Sequence, residues 1–283
     1  MRLNFEHPPL AKALAALPLV LRGVHADYSH LSWTFSGTSY NSMLGEWSFG
    51  HWLITRWNEP RSTMAWARAP MLLLTLALGF VIYWCGARLG DVRGGFLCLA
   101  LYISTPAFLT FGPLVITDIA VALFSMSAMW TFASMWSSPS RAQVAKFGVA
   151  LAAALLSKFS AGLLLISCVA FALSLRWVPA ASAPPARTEA RAWRGRGWRG
   201  FWKGTLLAAS IVYAVYFLLT WNQASDPFGG LARFPAFLHK PLLPPLLYVE
   251  GVLAVVFGSA RPTYILGQFY PHGVWFFSRC SSC

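Results

Sequence analysis

The sequence predicts an all-α, polytopic membrane protein, a bundle of transmembrane helices with an external juxtamembrane helix and external loops. Of the 283 residues, 57% are hydrophobic and only 11% are charged. The mean hydropathy is +0.55. A soluble core of this size could not bury so much apolar surface, and a soluble fold is therefore excluded.

Five apolar runs predict the helices of the bundle. They are Ala69 to Ala87, Gly94 to Ile116, Ile119 to Trp136, Phe147 to Trp177 and Gly204 to Trp221. The first, third and fifth are each close to the ~20 residues that a spanning helix needs. The fourth is too long for one crossing and contains Lys158, which predicts a break near Ser157 and Lys158. We expect residues 147–157 to enter the membrane part-way and residues 159–177 to return, giving roughly five spanning helices and one half-length insertion.

The distribution of charge predicts which loops lie on which side. Lysine and arginine are concentrated in segments 88–93, 137–146 and 176–203, which the positive-inside rule places in the cytoplasm. The same parity places most acids outside: Glu6, Asp27, Glu46, Glu59, Asp118 and Asp226. The net charge of +13 is thereby explained by topology, and we expect no nucleic-acid partner.

These features predict that residues 1–283 form one membrane domain, which consists of several segments. Residues 1–68 form an external loop with a juxtamembrane helix at Leu10 to Leu21, which is too short to span and contains Pro18. Residues 69–177 are transmembrane helices, and residues 204–221 form another. Residues 178–203 form a flexible cytoplasmic basic loop that contacts anionic headgroups of membrane lipids. Residues 222–283 are mostly external.

The pentapeptide Glu6-His7-Pro8-Pro9-Leu10 lies directly before the juxtamembrane helix. The two prolines favour an extended, stiff backbone, from which the side chains of Glu6 and His7 would project. Two interpretations stay open. The segment is either a loop that builds a site at the membrane face or a surface loop that only caps the following helix.

Several motifs in order give the chain a family resemblance. They are Glu6-His7-Pro8-Pro9-Leu10-Ala11-Lys12, Arg68-Ala69-Pro70, Tyr83-Trp84 with Leu89-Gly90, Ser104-Thr105-Pro106, Val115-Ile116-Thr117-Asp118 and Ala154-Leu155-Leu156-Ser157-Lys158-Phe159-Ser160. Over about residues 3–277 the chain resembles the protein O-mannosyltransferase and aminoarabinose-transferase group, the family 39-like members of glycosyltransferase superfamily C. The resemblance implies the helical fold of that superfamily.

The resemblance also implies an activity. It is that of an integral-membrane enzyme that transfers a sugar from a polyprenyl-phosphate donor, with inversion, to an external acceptor. The acceptor would be a lipid, a glycan or a protein, and the membrane would be a bacterial inner membrane with the site on its periplasmic face. Such chemistry needs a carboxylate to deprotonate or orient the acceptor hydroxyl and cations to hold the departing phosphate.

Members of this family carry an Asp-Glu pair in the first external loop, where the Asp is the proposed base. By this comparison the chain begins after that pair, and Ser278 to Cys283 replace the family's next apolar helix. The sequence therefore predicts a chain truncated at both ends, and a catalytically dead fragment is one alternative. Glu6 and Asp118 are the remaining candidates for a catalytic carboxylate.

Asp118 has two interpretations, because it follows Thr117 at the outer start of a predicted helix. An acid at this position is favoured by the positive end of the helix dipole, which makes a structural cap the simpler explanation. The motif match instead implies a role in the sugar-binding cavity.

Five further residues are candidates for binding the substrate. Lys158 is the most informative, since an ionisable group inside an apolar run is costly unless it faces water, a partner or a ligand such as phosphate. Its alternative is snorkelling to the interface. Lys12 and Arg68 are further phosphate candidates. His7 would orient Glu6 or bind the donor, unless it is a loop histidine without function, and His272 lies in a segment that faces the donor or belongs to the interfacial aromatic belt.

We expect no cofactor and no metal site, because His25 and His30 lack the spacing of a helical ligand pair. The competing functional class is a membrane transporter, since a lysine within the membrane, a broken helix and an outward acid also describe a substrate path. A transporter of that kind predicts inverted repeats, which the sequence does not show.

Overall fold

The computed structural model describes residues 7–34, 40–174, 187–222, 231, 234–258, 263–265 and 268–270, and these form a bundle of α-helices. Within this part of the chain, three helices are long and apolar enough to cross a membrane: Pro60–Ser104, Asp118–Ser137 and Gly195–Leu219. Leu10–Leu21 and Phe159–Ser174 are shorter apolar helices. The predicted all-α membrane class is confirmed.

Ten α-helices, a 3₁₀ turn and two short strands make up the elements of the described residues. In chain order the helices are α1 (Leu10–Leu21), α2 (Leu31–Thr34), α3 (Tyr40–Thr55), α4 (Pro60–Ser104), α5 (Pro106–Phe111), α6 (Asp118–Ser137), α7 (Arg141–Ser157), α8 (Leu163–Ser174), α9 (Arg187–Leu219) and α10 (Ala236–Gly258). A 3₁₀ turn, Phe159–Gly162, lies between α7 and α8. The strands β1 (Thr263–Ile265) and β2 (Gln268–Tyr270) pair antiparallel, a small hairpin that the sequence did not predict.

Helix α1 has the bounds that the sequence predicts, with Pro18 inside it. Pro9 is its N-cap and has helical backbone angles, so the proline pair lies at the helix start. At the other end Gly23 has a φ of 66°, and its N–H donates to the carbonyl oxygen of Val20. A left-handed glycine after the last turn is a common helix stop, because it satisfies the final carbonyls.

Helix α4 is folded back on itself as a helical hairpin. Gly90 and Asp91 have non-helical backbone angles and separate two arms. Across the arms, the Tyr102 hydroxyl donates to the carbonyl oxygen of Thr75 at 2.9 Å. A Cβ on Gly95 would lie 2.9 Å from that of Ala87, so the arms touch near the turn as well. The predicted basic loop at residues 88–93 is therefore a tight turn.

The predicted run from Gly94 to Ile116 is not one helix, because α4 ends at Ser104. Thr105 is extended, with a φ of −83° and a ψ of 113°, and Pro106 begins the short helix α5. The proline ring disfavours helical angles at the preceding residue, and this is the physical reason for the break.

The core of the bundle lies between α6, α7, α8 and α9. Its centre is Phe132, which is fully buried, and its ring lies 5.5 Å from Phe147, 6.0 Å from Phe171 and 6.0 Å from Phe201 between centroids. The early part of α7 and the late part of α8 are therefore level with the same residue of α6. The chain rises along α7 and returns along α8, as the sequence predicts.

Helix α7 is longer than the predicted half-length insertion. It has 17 residues, about 26 Å at 1.5 Å per residue, against 20 residues for its neighbour α6. The break that ends it lies at Lys158, beside the first residue of α6. Helix α7 thus runs nearly the whole length of α6.

The prediction of a flexible basic loop at residues 178–203 is wrong from Arg187 onward, since α9 begins there. Residues 178–186 lie outside the described part. Two glycines of this segment, Gly197 and Gly200, are contact points in the helix. A Cβ on Gly197 would lie 2.8 Å from the indole of Trp136, and one on Gly200 would lie 3.0 Å from Sδ of Met135. Small residues let membrane helices approach closely, and this contact stabilises α9 against α6.

Candidate active site

Asp118 is the first residue of α6, and its side chain points to a neighbouring element. Thr117 is the N-cap and its side chain makes no capping hydrogen bond. The Asp118 carboxylate accepts a hydrogen bond from Nζ of Lys158, with Oδ1 and Nζ 2.7 Å apart. The helix dipole also favours an acid at this position. A structural role at the helix start and a role in the site are therefore compatible for Asp118.

Lys158 lies at the break between α7 and the following 3₁₀ turn. Its backbone is extended, with a φ of −154° and a ψ of 141°. The backbone remains satisfied, because the Lys158 N–H donates to the carbonyl oxygen of Ala154 and its own carbonyl accepts from the N–H of Ala161. The extended backbone at Lys158 therefore changes the direction of the chain and directs the Lys158 side chain toward α6.

The Asp118 carboxylate neutralises the charge of Lys158, which lowers the free-energy cost of a lysine within an apolar run. The Lys158 side chain is 23% exposed and the Asp118 side chain is 45% exposed. A polar ligand can thus reach the carboxylate without unpacking the core. Since a phosphate also forms strong charge-assisted hydrogen bonds, its oxygens could replace the carboxylate on Lys158.

The segment before α1 forms a second polar pair at the same end of the bundle. Nζ of Lys12 donates to the carbonyl oxygen of His7 at 2.7 Å. Pro8 and Pro9 are buried beside it. Helix α1 contacts both α4 and α7, and Leu10 packs against the cluster that contains Leu156. His7 and Lys12 therefore lie on the side of the bundle where α7 ends.

Two of the predicted site residues, Glu6 and His272, lie outside the described residues. Arg68 lies on the first arm of α4 and is half-buried. Its Nε atom is buried and has no hydrogen-bond partner within the described part of the chain. A buried guanidinium nitrogen without a partner is costly, which is consistent with the predicted phosphate ligand.

An apolar cavity of about 380 Å³ is lined by Phe159, the residue that follows Lys158 in the chain. Phe159 and Gly162 form one side of it, and Tyr216 and Tyr248 from α9 and α10 form the other. The Tyr216 hydroxyl is buried and has no hydrogen-bond partner in the described residues. Sequence reasoning missed this cavity, although a tyrosine among apolar residues in a predicted membrane helix is a signal that could have indicated it.

A larger cavity, of about 510 Å³, lies along the α4 hairpin beside Phe80, Phe96 and Leu109. The side chains that line it are apolar or aromatic, apart from Thr75, and none carries a charge. It therefore offers a surface for hydrocarbon and no group for acid–base chemistry. Among the described site residues, Asp118 and Lys158 are the acidic and basic pair that could take part in the reaction.

The chain was compared with protein families, curated proteins and solved structures. Residues 49–182, a little less than half of the chain, match the family described as dolichyl-phosphate-mannose-protein mannosyltransferase. The matched segment includes Arg68, Asp118 and Lys158. No curated protein and no solved structure matches the chain. Together with the helical membrane fold, this match supports a membrane glycosyltransferase of superfamily C, of the family 39-like type.

Proposed function

We propose that this membrane glycosyltransferase takes a sugar from a polyprenyl-phosphate donor and transfers it, with inversion, to an acceptor hydroxyl. The observation that carries the proposal is the contact between Asp118 and Lys158, one residue before Phe159, which lines an apolar cavity. The acceptor is an external lipid, glycan or protein, and the membrane is a bacterial inner membrane with the site on its periplasmic face.

The two charged residues supply the two functions that the reaction needs. Asp118 accepts the proton of the acceptor hydroxyl, whose oxygen then attacks the anomeric carbon opposite the phosphate. The bond from that carbon to the phosphate oxygen breaks, and the phosphate leaves with the electron pair. The ammonium of Lys158 neutralises the charge that develops on it.

The donor lipid has a place to lie next to that lysine. Its isoprenoid chain would enter the apolar cavity beside Phe159 and Tyr216, with the phosphate at the mouth, at Lys158. Pockets of about 300–1,000 Å³ are typical of small-molecule sites, and this cavity is within that range. Arg68, Lys12 and His7 are further candidates for the phosphate and sugar. Glu6 and His272 stay predictions from the sequence.

Donor binding and the ion pair involve the same lysine. In the structure Lys158 donates to Asp118 at 2.7 Å, and its ammonium group, which has three N–H donors, can also donate to a phosphate. When the phosphate draws Lys158 toward itself, the Asp118 carboxylate is free to accept a hydrogen bond from the acceptor hydroxyl. Binding of the donor would thereby prepare the base for the transfer step.

The experiment measures donor binding and transfer separately, in membranes that contain the full chain. A radiolabelled, photoreactive polyprenyl-phosphate mannose reports binding by crosslinking and transfer by label in lipid, glycan or protein. A polyprenyl-phosphate aminoarabinose is tested in parallel. We expect Lys158→Met to weaken binding about ten- to hundredfold, as loss of a charge-assisted hydrogen bond would. Asp118→Asn should bind donor at least as tightly and lose transfer.

Lys146→Met is the matched control, because Lys146 is exposed near the other end of α7. It should leave both binding and transfer unchanged. Unaltered donor binding in Lys158→Met would overturn the role of that lysine, and unaltered transfer in Asp118→Asn would overturn that of the acid. If the unmutated chain carried solute across the membrane and transferred sugar from neither donor, it would be a transporter and not an enzyme. If it bound donor without transferring sugar, it would be the catalytically dead alternative.

A further inference from the structure

A polar cavity lies at the other end of the bundle from Asp118 and Lys158. Its volume is about 460 Å³, and it is enclosed by the start of α7 and the first half of α9. Four cationic side chains line it: Arg141, Arg196, Arg199 and Lys203. All four are exposed, and no acid is among the lining residues. This cavity is the basic pocket.

Four positive charges around one cavity repel one another, and an anion would relieve the repulsion. The geometry of α7 adds to the attraction. Ser140 is its N-cap, and the Ser140 hydroxyl accepts from the N–H of Gln143 at 3.2 Å. The other N–H groups of the first turn, with the positive end of the helix dipole, face the same end of the helix as the cavity. A helix start beside arginines is a site for phosphate-like anions.

Part of the wall of the basic pocket, formed by side chains of α7 and α9, is apolar. Val144, Ala145 and Leu207 line it there. Just outside, Trp202 is 62% exposed and Leu206 is 69% exposed on α9. A cationic rim above an apolar wall, flanked by an outward tryptophan, matches the headgroup and the first carbons of a lipid at a membrane interface.

We propose that the basic pocket binds the phosphate headgroup of an anionic membrane lipid, in the leaflet opposite the candidate active site. The phosphate lies between arginines of α7 and α9, and the acyl chains run down past Leu207. The lipid bridges two helices whose direct contact depends on small residues, since Gly148 and Gly204 allow the approach. It would therefore act as a structural clamp on the pair.

The test uses the purified full chain in a neutral detergent, with the unfolding temperature as the readout. Phosphatidylglycerol should raise that temperature by roughly 2–6 °C near saturation, since a ligand that binds only the folded state stabilises it. Phosphatidylcholine and inorganic phosphate should not. The variant Arg141→Gln/Arg199→Gln should lose most of the shift, whereas Lys146→Gln/Arg88→Gln, which removes two exposed cations outside the pocket, should keep it.

Native mass spectrometry supplies a second measurement that does not depend on unfolding. We expect about one tightly held phosphatidylglycerol per chain, reduced at least tenfold in occupancy by Arg141→Gln/Arg199→Gln and unchanged in the control. Equal shifts with phosphatidylcholine would overturn the requirement for an anion. An equal shift with inorganic phosphate would assign the pocket to a soluble anion instead of a lipid. Loss of lipid in both double variants would show that only total charge matters, which also contradicts the proposal.

Discussion

Gly86 and Gly94 face each other across the α4 hairpin: a Cβ on Gly86 would lie 3.0 Å from the carbonyl oxygen of Gly94. The same Cβ would lie 2.8 Å from Sγ of Cys98. To accommodate this Cβ the Cys98 side chain would have to shift, and the Gly94 carbonyl would have to move by a few tenths of an ångström. The two arms therefore touch through glycine, and a methyl group at this point would displace its neighbours.

Gly86→Ala should destabilise the protein by about 1–3 kcal/mol, the usual cost of overpacking a well-packed contact. Unfolding in detergent, followed by helical circular dichroism, measures the change. Gly90→Ala, at the turn between the arms, is the control, because a Cβ there meets nothing within 4 Å. The double variant Gly86→Ala/Cys98→Ala should recover part of the loss. Equal stability of Gly86→Ala and wild type would contradict the close approach.

Two glycines of α9 should respond to alanine with opposite signs. A Cβ on Gly204 would overlap the ring of Phe147, whereas a Cβ on Gly195 meets nothing within 4 Å. Alanine at an open helical position stabilises by about 0.5–1 kcal/mol through its higher helix propensity. We expect Gly195→Ala to raise the free energy of unfolding by that amount and Gly204→Ala to lower it by about 1–3 kcal/mol. Changes of the same sign would mean that α9 does not pack closely on α7.

The tyrosine hydroxyls provide a matched pair of deletions. The Tyr102 hydroxyl donates to the carbonyl oxygen of Thr75, whereas the Tyr216 hydroxyl is buried without a partner in the described residues. Tyr102→Phe should lower the free energy of unfolding by about 0.5–1.5 kcal/mol through the lost hydrogen bond. Tyr216→Phe should be neutral or stabilising, because it removes an unsatisfied polar group. A larger loss for Tyr216→Phe than for Tyr102→Phe would reveal a partner for that hydroxyl.

A double-mutant cycle on Asp118 and Lys158 separates their mutual attraction from their roles in the reaction. The pair is half-exposed, so a coupling of about 1–2 kcal/mol is expected, between the values for surface and buried pairs. Asp118→Asn should destabilise by leaving the lysine charge without a counter-charge, and adding Lys158→Met should restore part of the loss. Unfolding in detergent at low ionic strength measures all four corners. Additive effects would mean that the contact contributes nothing to stability.

The sequence predicts those parts of the fold that local chemistry determines. Helix α1 has its predicted bounds because a proline pair precedes it and Gly23 follows it. The break at Lys158 was predictable because a charge interrupts an apolar run that is too long for one crossing. By contrast, the end of α4 at Ser104 was missed although Pro106 indicates it, because apolar residues continue beyond the proline.

Other features depend on partners that are distant in the sequence. Gly197 is suited to a loop by composition, and only the indole of Trp136 explains why a helix needs glycine there. Asp118 and Lys158 were each selected as site residues, but nothing in the sequence indicated that they bind each other across 40 positions. The cavity beside Tyr216 requires α10, a segment that the apolar runs did not include. The glycine contact, the ion pair and the cavity all depend on packing between segments, which the pattern of a single segment does not reveal.

The ion pair also has a consequence for biogenesis. Translation proceeds from the N-terminus, so Asp118 leaves the ribosome 40 residues ahead of Lys158. At about 5–20 residues per second the delay is roughly 2–8 s. The carboxylate at the start of α6 is thus synthesised before the lysine that pairs with it. When Lys158 is added to the growing chain, its counter-charge is already part of that chain.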